Sequence, residues 1–152
     1  MRAVIIRVSR ASITIDGQPG GSMDKGFVVL VGVKPEDTTA EAAYLAKKCA
    51  ELRVFEDENG KMNKSIIDID GDALVISQFT LCADCKKGNR PSFTNSEEPE
   101  NAKRLYELFC NELKNNGVKN VETGIFAADM KVSLINDGPV TICFDTDIWR
   151  KN

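Results

Sequence analysis

Ser77-Gln78-Phe79-Thr80-Leu81 puts a hydroxyl, a carboxamide and a second hydroxyl close together on one short segment. In a regular strand Ser77 and Phe79 would face one side and Gln78 and Thr80 the other, so they could not all enter one pocket. A bend or a strand end would lift that restriction, and backbone amides there could donate to an oxyanion. The plainer alternative is a strand with polar outward residues. A second segment, Asn136-Asp137-Gly138-Pro139-Val140-Thr141, is turn-forming by composition, since Asn, Asp and Gly favour turns and Pro fixes φ and lacks an N–H. It reads either as a hairpin-like connection or, if the Gly-Pro bond is cis, as an element that fixes backbone carbonyls with no Cβ in the way.

Two further clusters follow the first segment directly. Lys86-Lys87-Gly88-Asn89-Arg90 carries three cations on a predicted loop, which suits nucleic-acid phosphates or simply solvent. Cys82-Ala83-Asp84-Cys85 is a lone CxxC. A redox site would need that motif at a helix start, and a zinc site would need two more ligands, so the pair reads as incidental.

What is missing narrows the chemistry further. The chain has no histidine, which removes the commonest general base and excludes Ser-His-Asp and Cys-His mechanisms. Histidine-containing zinc sites go with them. The five cysteines are an odd number scattered through apolar segments, as expected of reduced thiols in the cytoplasm. A net charge of −3 argues against indiscriminate nucleic-acid binding, while leaving room for a local basic patch. The apolar run of four near the start lies between two arginines, too short for a signal peptide or membrane span. At 152 residues and 42% hydrophobic content, one domain over residues 1–152 is expected.

The elements that must position these groups are legible in outline. Ala3 to Val8 and Ala11 to Asp16, rich in β-branched residues, predict two strands, and Phe27 to Val33 a buried third. Thr38 with Glu41 has capping-box spacing, and Ala42, Leu45, Cys49 and Leu52 recur at helical steps, predicting a helix over Thr39 to Leu52. Ala73 to Leu81 reads as a strand, Cys82 to Asn95 as a loop, and Glu100 to Asn115 as a second helix behind Pro99. Strands over Met130 to Ile135 and Val140 to Phe144 flank the Gly-Pro turn. The order implies an α/β single domain with a curved, partly antiparallel, barrel-like β-sheet and two main helices.

Taken jointly, the Ser-Gln-x-Thr and Asn-x-Gly-Pro segments, with Gly124-Ile125-Phe126-Ala127-Ala128-Asp129-Met130 just ahead of the second, resemble the D-aminoacyl-tRNA deacylase family. The likeness runs from Arg2 to Ser12, through Gly60-Lys61-Met62-Asn63 and Arg90-Pro91-Ser92-Phe93, to Thr141. The CxxC departs from it, since small apolar residues are expected there. The resemblance implies a homodimeric, cofactor-free and metal-free cytoplasmic enzyme that hydrolyses the ester joining a D-amino acid, or glycine, to the 3′-terminal adenosine of tRNA. Neither DNA nor membrane is implied as a partner.

The same resemblance assigns roles. Ser77, Gln78, Phe79 and Thr80 would line the catalytic pocket, with Phe126, Ala127 and Met130 on its other wall. Gly138 and Pro139 would enter the partner subunit's site, hold the substrate's α-amino group and leave no room for an L side chain, with Arg7 close to that turn. Lys86, Lys87 and Arg90 would hold tRNA phosphates. Thr80 could attack the ester, or the tRNA's terminal 2′-hydroxyl could help water attack while the pocket positions it. An alcohol with no nearby base is a weak nucleophile at neutral pH, which favours the substrate-assisted route.

Overall fold

A computed structural model describes residues 1–149, so residues 150–152 of the expected domain and tail lie outside the described residues. At the start of the chain, β1 runs unbroken over Arg2–Ile15, where two strands were expected, because one partner runs beside all of it while its neighbours on the other edge change. Its first half pairs antiparallel with β3 (Gly26–Gly32) and its second half with β2 (Gln18–Met23). On its other edge it pairs with β8 (Met130–Asp145) from end to end.

β3 continues the sheet through parallel pairing to β6 (Asp72–Ser77), and β6 pairs parallel with β7 (Asn120–Thr123). Parallel neighbours need long crossovers. α1 (Thr39–Glu51) and the small β4–β5 hairpin (Phe55–Glu56, Met62–Lys64) supply the first, and α2 (Pro99–Asn115) the second. The capping box starts α1 as expected, with the Thr38 N–H donating to Glu41 Oε2 and the Ala40 N–H to Thr38 Oγ1. β7 was not foreseen, since a four-residue edge strand with one apolar side chain carries almost no periodicity. A short α3 (Thr146–Trp149) ends the described chain, with Trp149 edge-on against Tyr44 and Phe144.

The central strand β3 and the Ala73–Ile76 stretch of β6 are apolar because both of their faces are buried. Phe27, Val29, Val31, Ala73 and Val75 meet Leu45 and Cys49 of α1 and Leu105, Phe109 and Leu113 of α2. The alternate residues Val28, Leu74 and Ile76 join Val8, Ala11, Ile13 and Met23 in a second core, where the curved sheet closes on itself. The barrel-like, mixed sheet covered by helices on one side therefore agrees with the expected fold class.

Candidate active site

β6 does not reach Leu81. Its last paired residue is Ser77, opposite Val31, and beyond Gly32 there is no β3 backbone left to pair with. Gln78 N–H makes the final bond, to Val31 O at 2.7 Å. The chain then satisfies itself in a 3₁₀ turn over Phe79–Cys82, with Leu81 N–H donating to Gln78 O and Ala83 N–H to Thr80 O. This is the strand end that lifts the period-two restriction. Ser77, Gln78 and Phe79 consequently line one cavity of about 520 Å³, at the carboxyl ends of the parallel strands, where α/β sheets characteristically leave a crevice.

The opposite wall is the turn between β7 and β8. Phe126, Ala127 and Met130 line it, together with Ala128, Asp129 and Val132. Ala128 N–H closes the turn on Ile125 O at 3.1 Å, and Asp16 N–H donates to Asp129 O at 2.8 Å. Ala127 has φ +66°, a left-handed conformation that costs an alanine about 1–2 kcal/mol. Tyr106 of α2 braces this wall. Its hydroxyl donates to Val75 O at 2.7 Å, and its ring lies 6.3 Å from that of Phe126. Burial pushes the Tyr106 hydroxyl well above its ordinary pKa, so it stays protonated as a donor.

Thr80 is not among the lining residues. It is exposed on the outer side of the 3₁₀ turn, and its Oγ1 accepts a hydrogen bond from the Gln78 amide. The N–H groups of Phe79 and Thr80 find no acceptor among the described residues, as is usual for the first turn of a helix. Sequence reasoning missed the remaining lining residues Val33, Ile76, Ser96, Glu97, Pro99 and Ala102. Pro99 marked the start of α2, and a helix start following a loop beside the Ser77 strand was the available signal. Glu97 and Asp129 make the lining acidic, with no Lys or Arg among it.

Gly138 and Pro139 do not line this cavity. Nor do they turn the chain back. Both arms of β8 run antiparallel to the same strand, with Ile6 opposite Thr141 and Val8 opposite Asn136. Where β1 advances two residues β8 advances five, so Asp137 to Val140 loop out as a bulge in one long strand. That replaces the expected pair of strands around a turn. The bulge is pinned from within: Val140 N–H donates to Asn136 Oδ1 and Asn136 Nδ2 to Thr141 Oγ1, both at 2.9 Å.

Arg7, which is buried, fixes the bulge to the body of the protein. Its Nε donates to Asp137 O at 2.8 Å and its Nη1 to Val54 O at 2.7 Å. The Gly138–Pro139 bond is cis, and both residues are exposed.

Lys86, Lys87 and Arg90 stand exposed at the tip of a loop whose base is closed by Asp84 and Ser92, each N–H donating to the other's carbonyl. They lie outside the cavity. Cys82 is buried with its thiol directed at Val33 O, and burial pushes its pKa up, whereas Cys85 is exposed. A thiol held protonated is a poor nucleophile, which fits the reading of the CxxC as incidental.

Known proteins are similar to this chain along nearly its whole length. The family described as D-Tyr-tRNA(Tyr) deacylase matches residues 4–145. A D-aminoacyl-tRNA deacylase of Bacteroides fragilis is 56% identical over 146 residues, 96% of this chain and 97% of the relative. One from Thermus aquaticus is 55% identical, covering 96% and 95%. Among solved structures, a c-Myc DNA Unwinding Element Binding Protein superposes with a TM-score of 0.90 at 40% identity, over 95% of this chain and 98% of that one. A probable eukaryotic D-amino acid tRNA deacylase gives 0.81 at 15% identity, over 94% and 97%, a likeness of fold. Matched across nearly its whole length by family and relatives alike, the chain belongs to the D-Tyr-tRNA(Tyr) deacylase family.

Proposed function

We propose that the cavity beyond β6 is the site at which this chain, a D-aminoacyl-tRNA deacylase, hydrolyses the ester between a D-amino acid and the 3′-terminal adenosine of tRNA. The observation that carries the assignment of the site is the convergence of Ser77, Gln78 and Phe79 with Phe126, Ala127 and Met130 around one cavity. The test is release of labelled D-tyrosine from D-Tyr-tRNA by the pure protein, with L-Tyr-tRNA as control. Binding without release would mark a recognition module instead.

The chemistry is that of a positioning pocket. The chain has no histidine to serve as a base, and Thr80 Oγ1 is engaged by Gln78 outside the cavity, so Thr80 is not activated as a nucleophile. Orientation of the ester, the Phe79 N–H facing a developing oxyanion, and the substrate's own 2′-hydroxyl beside the attacking water supply the reaction. Thr80→Ala is therefore expected to stay within about tenfold of the parent rate, the size of one lost hydrogen bond. Complete loss in single-turnover assays, or a trapped acyl-Thr80, would refute the scheme.

The active species in this reading is a homodimer. Gly138-Pro139 is exposed, pinned by Arg7 and not part of the lining of its own chain's cavity, an arrangement that suits insertion into the cavity of a second copy. There its carbonyls would hold the α-amino group and its backbone would exclude an L side chain. Lys86, Lys87 and Arg90 hold acceptor-end phosphates, and the enzyme works in the cytoplasm. No helix among the described residues is long and apolar enough to cross a membrane. Lys86→Ala with Lys87→Ala should lower the slope of log K against log salt for tRNA binding by about 2, roughly one for each phosphate no longer neutralised. An unchanged slope would remove these lysines from the interface.

A further inference from the structure

Two aromatic rings meet beside the cavity, and neither belongs to the two hydrophobic cores. Phe79 lines the cavity yet is 54% exposed, and Phe93 is 37% exposed. Their centroids lie 4.9 Å apart with the planes at 69°, an edge-to-face pair. Large apolar side chains left in water beside a polar site are more informative than scattered ones. Phe93 belongs to the loop whose tip carries Lys86, Lys87 and Arg90, and the paired backbone of Asp84 and Ser92 holds that loop closed one residue before it.

Charge divides the surroundings in the same way. The cavity lining includes Glu97 and Asp129, the latter ion-paired with exposed Lys131 at 3.3 Å, and has no cation of its own, while Lys86, Lys87 and Arg90 sit outside it on the loop that leads to Phe93. A nucleic-acid chain that ends in the cavity and reaches these cations would run by way of Phe79, which lines the cavity, and Phe93, which adjoins both Phe79 and the cationic loop. Aromatic rings interleaved with cations along an exit path form the usual platform for unpaired bases, since every base has a π face.

We infer that Phe93, set edge-to-face against Phe79, is a stacking platform for the base that precedes the terminal adenosine, making this enzyme read an unpaired nucleotide outside its catalytic cavity. This rests on the deacylase reading. It predicts that the enzyme recognises its substrate beyond the aminoacyl-adenosine, without a demand for one particular base, because stacking carries little sequence information.

The experiment compares D-Tyr-tRNA with D-tyrosyl-adenosine, which lacks the preceding nucleotide. Phe93→Ala should lower kcat/KM on D-Tyr-tRNA roughly tenfold, mainly through KM, as expected when one base stack is removed, and leave hydrolysis of D-tyrosyl-adenosine within about twofold. Phe93→Tyr, which keeps the ring, should restore the tRNA rate, and Phe93→Leu, which keeps only apolar bulk, should not. Equal losses on both substrates would make Phe93 a structural support of the pocket and overturn the proposal. An unchanged tRNA rate in Phe93→Ala would do the same. A parent enzyme that cleaves neither substrate would instead sink the deacylase reading, and this platform with it.

Discussion

Gly138→Ala is expected to lower kcat/KM for D-Tyr-tRNA by about a hundredfold, the usual consequence of shifting a positioning element by an ångström, while the protein stays folded. A Cβ at this position would lie 2.7 Å from Val140 Cγ2 and 3.0 Å from Arg7 Nη2. The first clash pushes on the far side of the bulge. The second pushes on the guanidinium whose Nε holds Asp137 O. Gly138 also has φ +136°, a conformation that costs a residue with a side chain about 1–3 kcal/mol. Since the bulge is exposed and the β1–β8 pairing continues on both sides of it, that cost moves the bulge rather than unfolding the sheet. Steady-state kinetics with both D- and L-Tyr-tRNA, beside a urea unfolding curve, separate the two effects. Activity within about threefold of the parent at unchanged stability would take the bulge out of the site.

Gly26→Ala should do the opposite and abolish the fold. A Cβ on Gly26 would sit 1.8 Å from Asp72 O and 2.7 Å from Asp72 N, and these atoms are backbone that no rotamer change can clear. Gly26 and Asp72 open the parallel β3–β6 register, next to the Asp72 N–H bond to Lys25 O. Separating them at that end shifts the strand that carries Ser77 and disturbs the two cores that share β3 and β6. The destabilisation expected is about 4 kcal/mol or more, beyond ordinary overpacking, a large part of the stability of a domain this size. Circular dichroism and the unfolding midpoint measure it directly. A folded Gly26→Ala protein within about 1 kcal/mol of the parent would mean that the strands can part there at little cost.

Local signals read from the sequence held up where one physical cause dominated. The Thr38–Glu41 capping box and the apolar steps of Ala42, Leu45 and Cys49 are intrinsic to a helix with one buried face, and α1 and α2 formed within a residue or so of the expected bounds. The run Phe27 to Val33 was readable because burial on both faces leaves no polar residue to confuse it. Boundaries fixed by partners were not readable. β1 is one strand because β8 runs beside all of it, and β6 stops at Ser77 because β3 runs out. Neither fact is contained in the residues of the strand concerned.

The order of amino acids supplied the chemical vocabulary of this protein: no histidine, a Ser-Gln-Phe-Thr segment, a Gly-Pro turn, three loop cations, and enough motif in fixed order to point to one family. Where those groups lie relative to one another was decided by the way the chain folds back on itself. The end of β3 forces the 3₁₀ turn that brings Ser77, Gln78 and Phe79 to one cavity and leaves Thr80 outside it. Continuous pairing with β1 turns the Gly-Pro segment from a hairpin into an outward bulge. Both outcomes have one cause. Side-chain pattern specifies which face of an element is buried, whereas where a strand must stop or bulge depends on which backbone lies alongside to accept its hydrogen bonds.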